Sequence, residues 1–148
     1  MGWVDPLGLA GCIEPPPGAQ DLQARAAELN NMRDPWSARN GTTSVIRGVD
    51  PVTGLPRDFV ATEGTRMPPE WEGQLGPNEH FIGEPGHAEQ SILNSNQTEG
   101  YNLTEGGTSR NVCKAICEPA LTDEGFQLGG PTFRGMPDKT PYRMFWKP

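Results

Sequence analysis

At 148 residues the chain has room for one domain with a sizeable core and not comfortably for two, so a single site is expected. Apolar residues supply only 34% of it, and 19 Gly and 16 Pro punctuate it, which points to a compact core wrapped in long loops. A formal net charge of −7 argues against a protein that coats duplex nucleic acid electrostatically, and leaves room for an enzyme that takes in one base past a local basic rim.

The opening Gly2-Trp3-Val4-Asp5-Pro6-Leu7-Gly8-Leu9 is turn-rich, and no helix continues past Pro6. It lacks the charged and apolar regions of a signal peptide, and no run in the chain is apolar enough for a membrane span. Glu14-Pro15-Pro16-Pro17-Gly18 reads as a stiff polyproline spacer, so residues 1–18 form a leader and 19–148 the folded domain. Over 19–32, Leu22, Ala26 and Leu29 recur at helical spacing, Asp21 favours the dipole near the start, and Asp34-Pro35 stops the helix. Residues 42–49 and 57–62, rich in Thr, Val, Ile and Phe, form a hairpin about Asp50-Pro51-Val52-Thr53-Gly54. Residues 63–86 read as a long loop, and long loops in compact domains are often functional.

Pro85-Gly86 breaks the chain just before a short helical pattern from His87 to Leu93. A strand is expected over 101–105 and a helix over 112–121, capped by Ser109 or Asn111. Pro119 either kinks that helix or falls in the first turn of one that restarts. Strands at 125–128 and 142–146 complete an α/β fold with a central mixed sheet flanked by helices.

Three cysteines, two of them four positions apart, suit metal binding or burial better than a disulfide framework. The informative group is His87-Ala88-Glu89 followed by Cys113-Lys114-Ala115-Ile116-Cys117. A helix starting at the Pro-Gly break carries His87 and Glu89 in its first turn, and a second helix carries Cys113 and Cys117 at i and i+4, on one side. If the two helix ends meet, one nitrogen and two sulfurs converge, and three ligands with an open position make a catalytic zinc site. Singly, His87 and Glu89 would be ordinary helix polar groups, and the cysteines small core residues. Trp71 and Phe81, in the loop leading to His87, are candidates for stacking on a base, with core packing the alternative. Arg110, just before the cysteines, is a candidate phosphate contact or a plain surface cation. His80 is an ordinary loop histidine or an alternative ligand, and Cys12 stands apart in the leader.

The Asp5-Pro6-Leu7-Gly8-Leu9 run resembles the motif that ends the core of Rhs-type polymorphic toxins, after which a variable toxin domain begins. His-x-Glu followed by a cysteine pair resembles the signature of zinc-dependent base deaminases. The match departs from the common form in its Cys-x-x-x-Cys spacing and in Val112, which stands where Pro often precedes the first cysteine. Taken together, the chain resembles the bacterial polymorphic-toxin deaminases of the cytidine deaminase-like superfamily, most closely those acting on cytosine in single-stranded DNA. The resemblance implies a three-layer α/β/α fold with about five strands, with zinc held by His87, Cys113 and Cys117 and Glu89 as the proton-transfer residue. It implies hydrolysis of cytosine to uracil by a secreted, monomeric effector, released from an Rhs core into the cytoplasm of a target bacterium and blocked by a cognate immunity protein. RNA, adenine or free nucleotides are alternative substrates; a metal-stabilised binding module and a nuclease toxin are alternatives of another class.

Overall fold

The structure, a computed structural model, describes residues 14–148; the leader motif and Cys12 lie outside them. The first helix, α1 (Pro17–Asn31), buries Ala19, Leu22, Ala26 and Leu29 as its periodicity predicts. Pro17 opens it, because a helix's first N–H groups lack intrahelical partners anyway. The expected spacer therefore gives up Pro17 and Gly18 to the helix. A short α2 (Pro35–Asn40) follows, where the sequence suggested only a stop: the Asp34 side chain accepts the Ser37 N–H at 3.0 Å and starts a new helix behind Pro35.

Strands β1 (Thr43–Val49) and β2 (Pro56–Thr62) pair antiparallel, with Val45 opposite Val60 and Ile46 opposite Phe59. Asp50 caps their turn by accepting the Val52 N–H at 2.8 Å. The expected loop over 63–86 contains β3 (Glu79–Phe81), parallel to β2 and too short to announce itself by alternation. Beyond it come α3 (Ala88–Asn94), β4 (Asn102–Thr108), α4 (Cys117–Asp123), β5 (Gln127–Gly129) and β6 (Met144–Trp146). The strands form one mixed sheet in the order β3-β2-β1-β4-β6-β5, six strands where about five were expected.

Both faces of this sheet are covered. Val45 and Val60 face Leu22, Ala26 and Leu29 of α1, together with Trp71. On the opposite face, Ile46, Phe59 and Ala61 pack against Ala88 and Ile92 of α3 and Cys117 and Leu121 of α4. Helix α1 rests directly on β4 because Gly107 has no side chain: a Cβ there would lie 2.4 Å from the backbone of Gln23. The expected helix over 112–121 starts only at Cys117. Pro119 explains the shortening, since its ring and missing N–H are tolerated in a first turn and not in a helix interior. Cys113 consequently stands outside the helix, in an isolated bridge to Lys139.

Candidate metal centre

Three chain segments deliver the candidate metal-binding groups to the α3–α4 face. Gly86, at φ 114°, turns the chain into α3 and leaves His87 as the capping residue, exposed at the helix mouth. Cys113 is held by backbone hydrogen bonds on either side: the Thr140 N–H donates to the Val112 carbonyl at 2.8 Å, and the Lys114 N–H to the Asp138 carbonyl at 3.0 Å. Cys117 opens α4, and its N–H donates to Cys113 Sγ at 3.1 Å.

The ligand atoms of His87, Cys113 and Cys117 all lie within 4.8 Å of one another, and Cys113 Sγ is 3.9 Å from His87 Nδ1. Tetrahedral zinc, with bonds of about 2.3 Å to sulfur and about 2.0 Å to nitrogen, holds such atoms about 3.6 Å apart. The three groups therefore fit zinc after a closure of a few tenths of an ångström to about one ångström. Their electrostatics agree. Burial first, then the charge of Glu89 and contact with Cys113, push the Cys117 thiol above its usual range. A divalent cation reverses that penalty by stabilising the thiolate.

Glu89, the second residue of α3, is 3% exposed and reaches into the same cavity. Its Oε1 accepts a hydrogen bond from Ser44 Oγ on β1. Ser44 Oγ lies 2.9 Å from Thr108 Oγ1 on β4, which lies 3.2 Å from the Thr43 carbonyl. Each hydroxyl has one proton, so with Glu89 ionised Ser44 donates to it and accepts from Thr108. With a proton on Glu89 the whole chain can reverse, ending at the Thr43 carbonyl. The carboxylate is thus held by a hydroxyl pair that tolerates either of its protonation states. Sequence reasoning missed Ser44 and Thr108. Their signal is strand alternation, which puts Ser44 on the same buried face as Ile46, where a hydroxyl needs a partner.

The cavity, about 120 Å³, is also lined by Thr42, Glu63, Asn111 and Lys139. A roomier one of about 540 Å³, beside Pro15 and Phe133, contains neither His nor Cys and shares no lining residue with it.

The sheet separates the stacking candidates from the site. Trp71 is fully buried under α1, its Nε1–H donating to the Leu29 carbonyl at 2.8 Å, and Phe81 packs edge-on against it at 6.1 Å. Both belong to the opposite face, and their role is core packing. Exposed His80, on β3, pairs with Gln97 and lies outside the ligand group. Arg110 is half-buried and its Nε–H donates to the Gly41 carbonyl at 2.7 Å, one residue from the cavity wall at Thr42.

What the described residues show is a mixed α/β chain whose His87, Cys113 and Cys117 stand at metal-binding distance beside a buried carboxylate. No family model matches the chain, and no match was found among curated proteins or solved structures.

Proposed function

We propose that the chain is a zinc-dependent deaminase that hydrolyses cytosine to uracil in single-stranded DNA, with a cytidine deaminase-like fold, acting as the toxin portion of a polymorphic effector. One observation carries the reading: His87, Cys113 and Cys117, at metal-binding distance, share one small cavity with the buried Glu89, which lies outside that group. The two-sided mixed sheet supports it, as does the order His-x-Glu then cysteine pair.

His87, Cys113 and Cys117 would hold the metal, which when bound supplies Lewis-acid activation of water near neutral pH. The chain's own part is proton transfer and positioning. Glu89 takes a proton from the water that attacks C4 of the base and passes it to ring N3; it then takes the second water proton, from the hydroxyl now on C4, and gives it to the departing amine. Water oxygen replaces nitrogen at C4, and the products are uracil and ammonia. Ser44 and Thr108 hold the carboxylate while its proton comes and goes. A cavity of about 120 Å³ suits one base out of its stack, and unstacking, which costs a few kcal/mol in a duplex, favours a single strand. The same reading includes a cognate immunity protein covering the cavity mouth at exposed His87.

The test incubates the zinc-loaded chain with a single-stranded oligonucleotide holding one cytosine, alongside RNA, adenine-only strands and free cytidine. Uracil in the DNA strand, lost in Glu89→Gln, is the expected result. Strand cleavage without base change, or biological activity untouched by Glu89→Gln, overturns the reading in favour of a nuclease or a metal-stabilised binding module.

A further inference from the structure

Beside the metal centre stand two arginines that no carboxylate neutralises. Among the described residues Arg25, Arg33, Arg47 and Lys147 each pair with an acidic side chain, whereas Arg110 and Arg143 pair with none. Arg39, Arg57, Arg66 and Arg134 also lack an acidic partner but are exposed, so Arg110 and Arg143 are the two half-buried arginines left without one. Solvated surface alone does not explain them, because both residues are half-buried and each guanidinium is anchored by a hydrogen bond.

Each is anchored through Nε only. The Arg110 Nε–H donates to the Gly41 carbonyl at 2.7 Å, and the Arg143 Nε–H donates to Asn111 Oδ1 at 2.7 Å. Asn111 is itself held, its Nδ2 donating to the Arg134 carbonyl at 2.8 Å, and Arg143 lies over the Phe133 ring at 4.2 Å. Among the described residues the terminal nitrogens of both arginines make no hydrogen bond, so the outer fork of each remains available. Both line one polar cavity of about 320 Å³, with Asn30, Asn31 and Ser109.

Two cations held together repel. Burial first and then Arg110 depress the Arg143 guanidinium below its usual range, an opposition that an anion between them relieves. A planar fork suits the paired oxygens of a phosphate. The position of the cavity gives the anion a context. Arg110, which lines this cavity, immediately precedes Asn111 of the metal-centre cavity, and Gly41, which holds Arg110, immediately precedes Thr42 on that same wall, so the two hollows adjoin at Arg110–Asn111.

We propose that Arg110 and Arg143 bind a phosphodiester group of a single-stranded polynucleotide, next to the nucleotide whose base enters the cavity at His87 and Glu89. The anion site stands on its own geometry; the placing of the base rests on the function proposed above. The substrate is then a polymer and not a free base or nucleoside. Asn111 is a positioning residue, holding Arg143 on one side and lining the base cavity on the other.

Fluorescence anisotropy with a labelled single-stranded DNA oligonucleotide containing one cytosine tests this, using the full zinc-loaded chain with Glu89→Gln as parent so that the probe stays unconverted. Arg110→Ala with Arg143→Ala raises the Kd about tenfold or more and flattens the salt dependence by about 0.7 in log–log slope for each phosphate no longer neutralised. Arg110→Gln with Arg143→Gln repeats the measurement with longer side chains, and each variant is matched to the parent in circular dichroism and zinc content. Arg39→Ala with Arg66→Ala, two exposed arginines, serves as the control for loss of charge alone. An unchanged salt slope, a Kd within about twofold of the parent, or equal weakening in the control overturns the inference. So does an oligoglutamate peptide that competes as well as the DNA. Absence of deamination on every substrate would reject the proposed function and leave this binding result standing; deamination with binding indifferent to both arginines would reject the inference alone.

Discussion

Ser44 on β1 donates its hydroxyl to Glu89 on α3, and both side chains are sealed from solvent. The contact joins a strand of the central sheet to the second residue of a helix, and it fixes the direction of the carboxylate. Ser44→Ala removes the donor and leaves a buried carboxylate short of a partner, a loss of about 1–3 kcal/mol. If that loss falls on the barrier, kcat drops about ten- to a hundredfold. Steady-state kinetics on a cytosine-containing strand check this, with KM and zinc content expected to hold. A KM effect alone would remove Ser44 from the proposed proton-transfer apparatus.

The ligands and the carboxylate separate under mutation. Glu89→Gln keeps the zinc and loses about 10²–10⁴ in rate, the usual worth of a positioned acid–base group. Cys113→Ser is expected to lose zinc and activity together. Metal analysis of the purified variants, at one ion per wild-type chain, distinguishes the two patterns.

The metal-free protein should weaken in alkali. Burial raises the Cys117 thiol in the fold, so the folded chain holds that proton more tightly than the unfolded chain does. The contribution is intact below the usual thiol pKa of about 8.5 and falls by up to about 1.4 kcal/mol per pH unit above it. Thermal melts in chelator between pH 7 and 10 should show a Tm that falls with pH. The zinc-loaded chain, already carrying the thiolate, should lack that slope.

Gly107 sets the seating of α1. A methyl group there meets the backbone of Gln23 at 2.4 Å, and backbone cannot swing aside as a side-chain end can. Gly107→Ala should destabilise by about 1–3 kcal/mol, in line with overpacking elsewhere. Denaturant titration measures it; zinc stoichiometry, set on the other face of the sheet, should remain one per folded chain.

The readable parts of this chain were those with a period or a chemical signature. Leu22, Ala26 and Leu29 announced α1, the Thr-, Val-, Ile- and Phe-rich β1 and β2 with the turn chemistry between them announced their hairpin, and His87 with Cys113 and Cys117 announced a candidate ligand group that the fold does assemble. What escaped was set by tertiary context. Strand β3 has three residues and owes its existence to the edge of β2. Trp71 carried no mark to distinguish a stacking platform from a core residue, and its burial under α1 decided the matter. The helix expected over 112–121 was shortened by Pro119, whose warning was already in the sequence. Ser44 and Thr108, common strand residues, became informative only when Glu89 was found against them.

The placement of Cys113 outside α4 has a consequence for the order of biosynthesis. Its stretch of backbone is fastened by Asp138, Thr140 and Tyr142, so a nascent chain that has already emerged past Cys117 carries the three metal-binding side chains and Glu89 but lacks the clamp that brings the first sulfur into place. Assembly of the centre therefore waits until Asp138, Thr140 and Tyr142 have left the ribosome, and a chain stopped after Gly135 would keep every group of the centre without the means to gather them.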